Sequence, residues 1–555
     1  MPDLVVRTAI ASFLREYTDD GEVLKLLVAS LGRVLAKTAD RGGEWRGLVS
    51  PADVIHITDW LTAARINEMP WLRKLDDRGR PVKLAKFGTV EQIKNEADKA
   101  MRRMASGMAT GLEPGDEIDV MDLDDGYKVV RLMTPKALDL ESARMQHCIG
   151  QGGYDPYLER PELGVHFFSL RDRAGNPHVT LEADNDGELH QMQGKQNKPP
   201  LEKYVNRLLP FFKERGIAKT RPSSGYVFDD TARLRLVAAL PDGIVIPGDL
   251  EINHTSGLAF PRKLTVLGNM SIMDTVNVQM PEELRVGGHL KMFSCRQFSP
   301  VGKLAVTGSL IVNMCTIDRL AKDITAASLS MSCNLLGIIA DTASVPGDVD
   351  IEGGGGYIGD DYKGLRDIDC LRHVGGALVL RKCSVAHLPE GLTVGGSLRV
   401  VRGRFERLPV GMKVGGDISI TWSDLEELPP RFTCNGDLTL TSSRVTAIPA
   451  GAWIAGSLDI ANTSIAGLPD DIFIGGSLRA SYSQISRLPD TLKVIDGTLD
   501  ICGTMISALP TGLHITVDLL SRNSALQDIP DDVTVGRLVV VDETARSAPA
   551  NRMSF

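Results

Sequence analysis

Aromatic residues are scarce in this chain: 14 Phe, 9 Tyr and 5 Trp make up 5% of 555 residues. Its interior must therefore be built mainly from aliphatic side chains. No run of 18 apolar residues occurs, which excludes a conventional membrane-spanning helix. The eight cysteines (148, 295, 315, 333, 370, 383, 434, 502) are scattered, and none forms a CxxC pair. That excludes ribbon-type zinc and thioredoxin-like motifs, leaving small buried hydrophobes as the expected role. His166, His178 and His190 fall on three separate strands without metal-ligand spacing, so neither a metal nor a cofactor is expected. A basic excess is missing too: the net charge of −9 and pI near 5.7 argue against non-specific coating of nucleic acid. Met1–Thr18 carries Arg7, Arg15 and Glu16 and has no apolar core of signal-peptide length. The expected setting is a reducing cytoplasm, away from membranes.

What the chain has in abundance is repetition. Leu-Pro or Ile-Pro pairs recur at 388–389, 408–409, 428–429, 448–449, 468–469, 488–489, 509–510 and 529–530. The spacing is 20 residues five times, then 21, then 20. A fixed period of this size marks a solenoid, because one unit cannot bury its own aliphatic face and must stack on the next. Gly-Gly pairs (395–396, 415–416, 475–476) fit turns that a Cβ would obstruct, and proline after the anchor stops the ladder. The outward strand positions read Arg399, Ser419, Thr439, Asp459, Arg479 and Asp500. They show no aromatic ladder or basic stripe, so stacking on single-stranded nucleic acid is not expected. A row of small polar groups fits an extended protein-binding surface, with Arg399, Asp459 and Arg479 as binding residues. A passive spacer is the alternative.

The repeat core, Leu-x-Ile-x-x-Thr-x-Ile-x-x-Leu-Pro, resembles the short leucine-rich repeat of bacteria. It departs at the usual Asn, where this chain has Gly403, Ser423, Ser443, Thr463, Ser483 and Gly503. The segment before the strand is Val-Gly-Gly-Ser, so both a horseshoe and a tighter two-sided β-solenoid stay open.

The expected organisation is a helical region over 1–110, an α+β module over 111–220, a β-rich solenoid over 226–545 and a flexible tail over 546–555. Ser50-Pro51 opens a helix into Val54–Asn67, and Thr89 with Gln92 caps another over Ile93–Met108. Between Arg73 and Arg103 ten basic residues face five acids. This reads as a solvated helical face, or as a local nucleic-acid contact. Residues 111–125 read as an acidic connection, Tyr127–Leu132 as a strand, and Thr134-Pro135 as the start of a helix ending at Cys148–Gly150. A three-stranded meander follows over Val165–Arg171, His178–Ala183 and Glu188–Gln193, then a closing helix over Leu201–Arg215. Within the solenoid the pattern degrades over 321–375, where Gly353–Gly356 and Asp360-Asp361 suggest an inserted loop.

Met145-Gln146-His147-Cys148-Ile149-Gly150, Phe168-Ser169-Leu170-Arg171, Thr180-Leu181-Glu182 and Gln193-Gly194-Lys195-Gln196-Asn197-Lys198-Pro199-Pro200 together resemble the PcfJ-like family over about 130–215. The resemblance implies a protein of conjugative plasmids, phage or other mobile elements, without supplying a reaction. Strand alternation puts Ser169, Arg171, His178, Thr180, Glu182, Gln191 and Gln193 on one face, opposite Phe168, Leu170, Val179 and Leu181. That polar face is either solvated or a pocket. As a pocket, Arg171 would hold an anion, His178 and Glu182 would be acid and base, and Gln193 and Asn197 would position the ligand. Ser169, Thr180, Gln191 and Lys195 complete the expected binding set. His147 and Cys148 are the remaining catalytic candidates, Cys148 as a nucleophile. Three functions follow: a mobile-element protein whose solenoid binds a protein partner, an enzyme using the His147/Cys148–His178–Glu182 constellation, or a repeat effector delivered to a host.

Overall fold

The structure, a computed structural model, describes residues 2–43, 45–105, 111–147, 149–150, 152–353, 368–383, 385 and 387–540. It divides into two compact units, Met1–Met280 and Pro281–Phe555. No helix among the described residues is long and apolar enough to cross a membrane. The tail expected over 546–555 lies outside the described residues.

The first unit opens with helices α1 (Pro2–Arg15), α2 (Gly21–Leu27), α3 (Arg33–Ala39), α4 (Pro51–Ile66), α5 (Val82–Ala85) and α6 (Val90–Ala105). Leu14, Leu27, Leu31, Leu35, Ile57, Trp60 and Leu61 form their shared core. α4 starts where its cap dictates: Ser50 Oγ accepts from Asp53 N at 3.2 Å, Asp53 reaches back, and Pro51 supplies its fixed φ. Ahead of α6, Thr89 Oγ1 accepts from Gln92 N at 3.3 Å. In the basic stretch Arg73, Arg80, Lys83 and Lys94 are paired with Glu68, Asp76, Glu96 and Asp53. These pairings leave less free charge for a phosphate than the composition suggested.

Next comes a six-stranded sheet in sequential order: β1 (Glu117–Asp122), β2 (Lys128–Leu132), β3 (Val165–Arg171), β4 (Pro177–Asp184), β5 (Glu188–Gln193) and β6 (Lys219–Thr220). All neighbours are antiparallel except β5 and β6. β1 corrects the reading of 111–125 as a connection; its Ile118 and Val120 alternate with Glu117 and Asp119, and the acids masked the period. α7 (Pro135–Met145) begins at Thr134, whose Oγ1 accepts from Ala137 N at 3.3 Å. It ends at Met145 rather than at Cys148, because Gln146 turns left-handed (φ 58°). The helix α8 (Asp155–Glu159) precedes β3. One sheet face packs Phe168, Leu170, Val179, Leu181 and Met192 against Val205, Phe211 and Phe212. Those three lie on α9 (Glu202–Arg207) and α10 (Leu209–Arg215). A single helix was expected there; Pro210 has no N–H to continue α9.

Residues 244–535 form a parallel β-solenoid of about 14 turns. In the first unit Ile244–Ile246 pairs with Lys263–Val266, and Leu250–Asn253 with Met270–Met273, both parallel. In the second unit one ladder joins Leu398–Val401, Ile418–Thr421, Leu438–Thr439, Leu458–Asp459, Leu478–Arg479 and Leu499–Asp500. A second ladder joins Thr433–Cys434, Trp453–Ile454 and Phe473–Ile474. Ladders on two sides of each turn make this a closed β-solenoid in place of a one-sided horseshoe. The anchors Leu388, Leu408, Leu428, Ile448, Leu468, Leu488 and Leu509 are buried. A Cβ on Gly395 or Gly415 would lie 2.1 Å from the carbonyl oxygen of Gly375 or Gly395, so these glycines permit close stacking of turns.

Each turn leaves the first ladder through a left-handed corner: Lys382, Arg402, Trp422, Ser442, Asn462, Tyr482 and Gly503 all have positive φ. In four of these turns the next residue is buried and its hydroxyl satisfies a backbone carbonyl. Ser443 Oγ donates to Leu440 O (2.6 Å), Thr463 Oγ1 to Ile460 O (2.7 Å), Ser483 Oγ to Ala480 O (2.6 Å) and Thr504 Oγ1 to Ile501 O (2.7 Å). Thr504, not Gly503, is therefore the sixth member of that column, because the longer turn shifts the register by one. Over the degraded stretch, Leu329 and Val349 pair 20 residues apart, whereas Val349 and Leu378 pair 29 apart. The loop expected there lies outside the described residues, apart from Gly353.

Candidate functional site

The second face of the sheet is polar and is not solvated, because α7 covers it. α7 buries Leu138, Glu141, Ser142 and Met145 along one stripe. Glu141 is 0% exposed and Arg171 2%. Ser169 Oγ (2.7 Å) and Thr180 Oγ1 (2.6 Å) both donate to Glu141 Oε1. Arg171 Nη1 lies 2.6 Å from Glu141 Oε2, and its Nη2 lies 2.5 Å from Glu117 Oε1. The guanidinium is thus enclosed between two carboxylates and is not presented to an anion. Glu141 was missed by the sequence reading. Its signal was the 138–141–142–145 spacing, which puts it on the same stripe as Leu138 and Met145.

His147 extends this cluster. Its Nε2 stands 2.7 Å from Thr180 Oγ1. Burial pushes the imidazole pKa down to about 4, so the ring is neutral at pH 7. Its Nδ1 has no hydrogen-bond partner among the described residues. His147, Ile149, Tyr154, Thr180, Glu182, Gln191 and Gln193 line a cavity of about 20 Å³. Gly150 holds the following backbone against α7: a Cβ there would lie 2.3 Å from Asp139 Cα.

Other sequence candidates fall elsewhere. His178 does not share the polar face as expected. A bulge, at which Arg171 pairs with Pro177, turns its ring onto Tyr204 (centroids 4.5 Å) and Asp172 (3.1 Å). Cys148 lies outside the described residues. Lys195 is exposed. Asn197 is buried with φ 55°, and its Nδ2 meets His56 Nδ1 at 3.1 Å, while His56 Nε2 meets Asp98 at 2.9 Å. It therefore ties the loop after β5 to α4 and α6.

His190, which the expected site did not include, sits on a second bulge with Nδ1 3.1 Å from Glu182 and Nε2 3.0 Å from Asp184. Burial alone would lower its pKa, but the bonds to Glu182 and Asp184 outweigh burial and raise it. Asp184, Glu188 and His190 bring ligand atoms within 4.8 Å of one another and could hold a metal ion. Arg221 already engages Glu188 at 2.9 Å, so the cluster is also balanced without one.

On the solenoid, Arg399, Ser419, Thr439, Asp459, Arg479 and Asp500 stack in one column, with Arg399 and Arg479 exposed. Asp459 turns back to its own ladder, accepting from Thr441 Oγ1 and Ala461 N. That column has no aromatic, as read from the sequence, but two stand on the second ladder. The Trp453 and Phe473 rings stack at 5.7 Å and 11°, and are 42% and 48% exposed.

No curated protein and no solved structure matches the chain. One family model, described as PcfJ-like protein, matches residues 86–209, a span that covers α6, α7, the polar cluster, the meander and the Asn197 loop.

Proposed function

We propose that this protein is a binding scaffold, in which the solenoid presents an exposed apolar strip to a protein partner and so brings it to the PcfJ-like domain. The observation that carries this reading is the Trp453–Phe473 pair in a chain where aromatics are scarce. Val494, the equivalent position one turn on, is 51% exposed and extends the strip. Rigid aromatic side chains are the usual anchors of protein interfaces, and a hydrogen-bonded ladder presents them with little ordering cost. Plasmid transfer or phage–host conflict is the setting this reading takes, and the family resemblance supports it.

The test is site-specific photo-crosslinking from position 473 in the full-length protein, with and without Trp453→Ala. A discrete protein adduct that Trp453→Ala removes, with the thermal unfolding midpoint unchanged, supports the scaffold. An adduct insensitive to Trp453→Ala, or one formed with nucleic acid, overturns it.

A further inference from the structure

We propose that the cavity beside His147 binds the primary ammonium end of a ligand. Thr180 has one hydroxyl proton, and it goes to Glu141 Oε1 at 2.6 Å. The contact between Thr180 Oγ1 and His147 Nε2 at 2.7 Å then requires Nε2 to donate. In a neutral imidazole this leaves Nδ1 as a bare lone pair, and Nδ1 has no partner among the described residues. A buried acceptor without a donor is costly, so it calls for something to fill it.

The rest of the wall has the same character. Glu182 contributes a carboxylate, of which Oε1 is shared with His190 Nδ1 at 3.1 Å. Gln193 Nε2 is used on Gln191 Oε1 at 3.2 Å, which leaves Gln193 Oε1 as another acceptor. Ile149 and Tyr154 supply apolar wall for the carbon that bears the charged group. The cation that an anionic ligand would need, Arg171, is enclosed by Glu141 and Glu117. Three N–H donors and one positive charge complement this set, whereas a carboxylate or phosphate is repelled by it. The cavity, about 20 Å³, has room for one water-sized group, so it takes the charged head alone and the attached carbon stays at its opening. An ammonium head has that size.

The probe is methylammonium chloride, titrated into full-length protein labelled with 15N only at its 10 histidines, with methanol and sodium acetate as controls. The free protein should show the His147 Nδ1 resonance of an unprotonated imidazole nitrogen. Methylammonium should shift it saturably, methanol should bind about tenfold more weakly, and acetate should not bind. Thr180→Val removes the acceptor that fixes the tautomer and should bring in the Nδ1–H form. Glu182→Gln keeps the shape and should weaken methylammonium about tenfold while sparing methanol, which preserves the test if the Thr180 variant does not fold. A protonated Nδ1 in the free protein, no saturable shift with methylammonium, or equal binding of methanol overturns the proposal.

Discussion

Removing the Glu141 carboxylate would leave Arg171 inside the protein with Glu117 as its remaining counter-charge. Breaking one side of a buried pair typically costs about 3–5 kcal/mol. Glu141→Ala should therefore lose about that much stability in urea unfolding, and Glu141→Ala with Arg171→Met should recover part of it. His147 gives the residue scale its pH signature. Folding lowers its pKa from the ordinary value near 6.5 to about 4, so the unfolded chain binds the proton first on acidification. The His147 contribution to stability should fall as pH drops from about 6.5 to about 4, by about 3 kcal/mol, and His147→Gln should remove that share of the pH dependence in urea midpoints measured across the range. His190 works in the opposite sense: its raised pKa favours the fold while protonated, and that contribution is lost as pH rises through its folded value.

At the scale of elements, the contact between α7 and the backbone after His147 depends on Gly150. A Cβ 2.3 Å from Asp139 Cα and 2.4 Å from Leu138 O meets backbone on both counts. Gly150→Ala should cost about 3 kcal/mol in chemical unfolding, with the secondary-structure signal otherwise retained. Elements with their own local signals were legible: α4 and α7 from their caps, β3 to β5 from alternation between turn residues, and the ladder from the anchor period. Other features needed information that lies outside any local window. β1 was obscured by its acids: Asp119 is exposed on this edge strand, and Glu117 turns to Arg171, a partner far away in sequence. Trp453–Ile454 and Phe473–Ile474 are two-residue strands, too short to show alternation, so the exposed aromatic strip went unread. Two bulges each shift the phase by one residue, and that shift moves His178 off the polar face and places His190 among carboxylates. The polar face itself was correctly placed for Ser169, Arg171 and Thr180, but Glu141, which defines its chemistry, comes from a helix whose docking no strand pattern announces.

At the scale of the molecule, repetition makes the stack modular. Deleting Leu398–Asp417 removes one complete turn and places Ile418 after Ser397, in phase with Leu378. This variant should keep cooperative thermal unfolding and an unchanged β signal per residue by circular dichroism. Deleting only Leu398–Arg407 puts an anchor where a strand begins and should yield misfolded or aggregated protein. The interval between Val349 and Leu378 shows how much latitude the ladder already has: nine residues beyond the period are absorbed, and the partners still meet in register. That interval is a ready splice point, where a foreign epitope or a reporter peptide can be grafted onto the spine while the hydrogen-bonded rungs on either side keep their count.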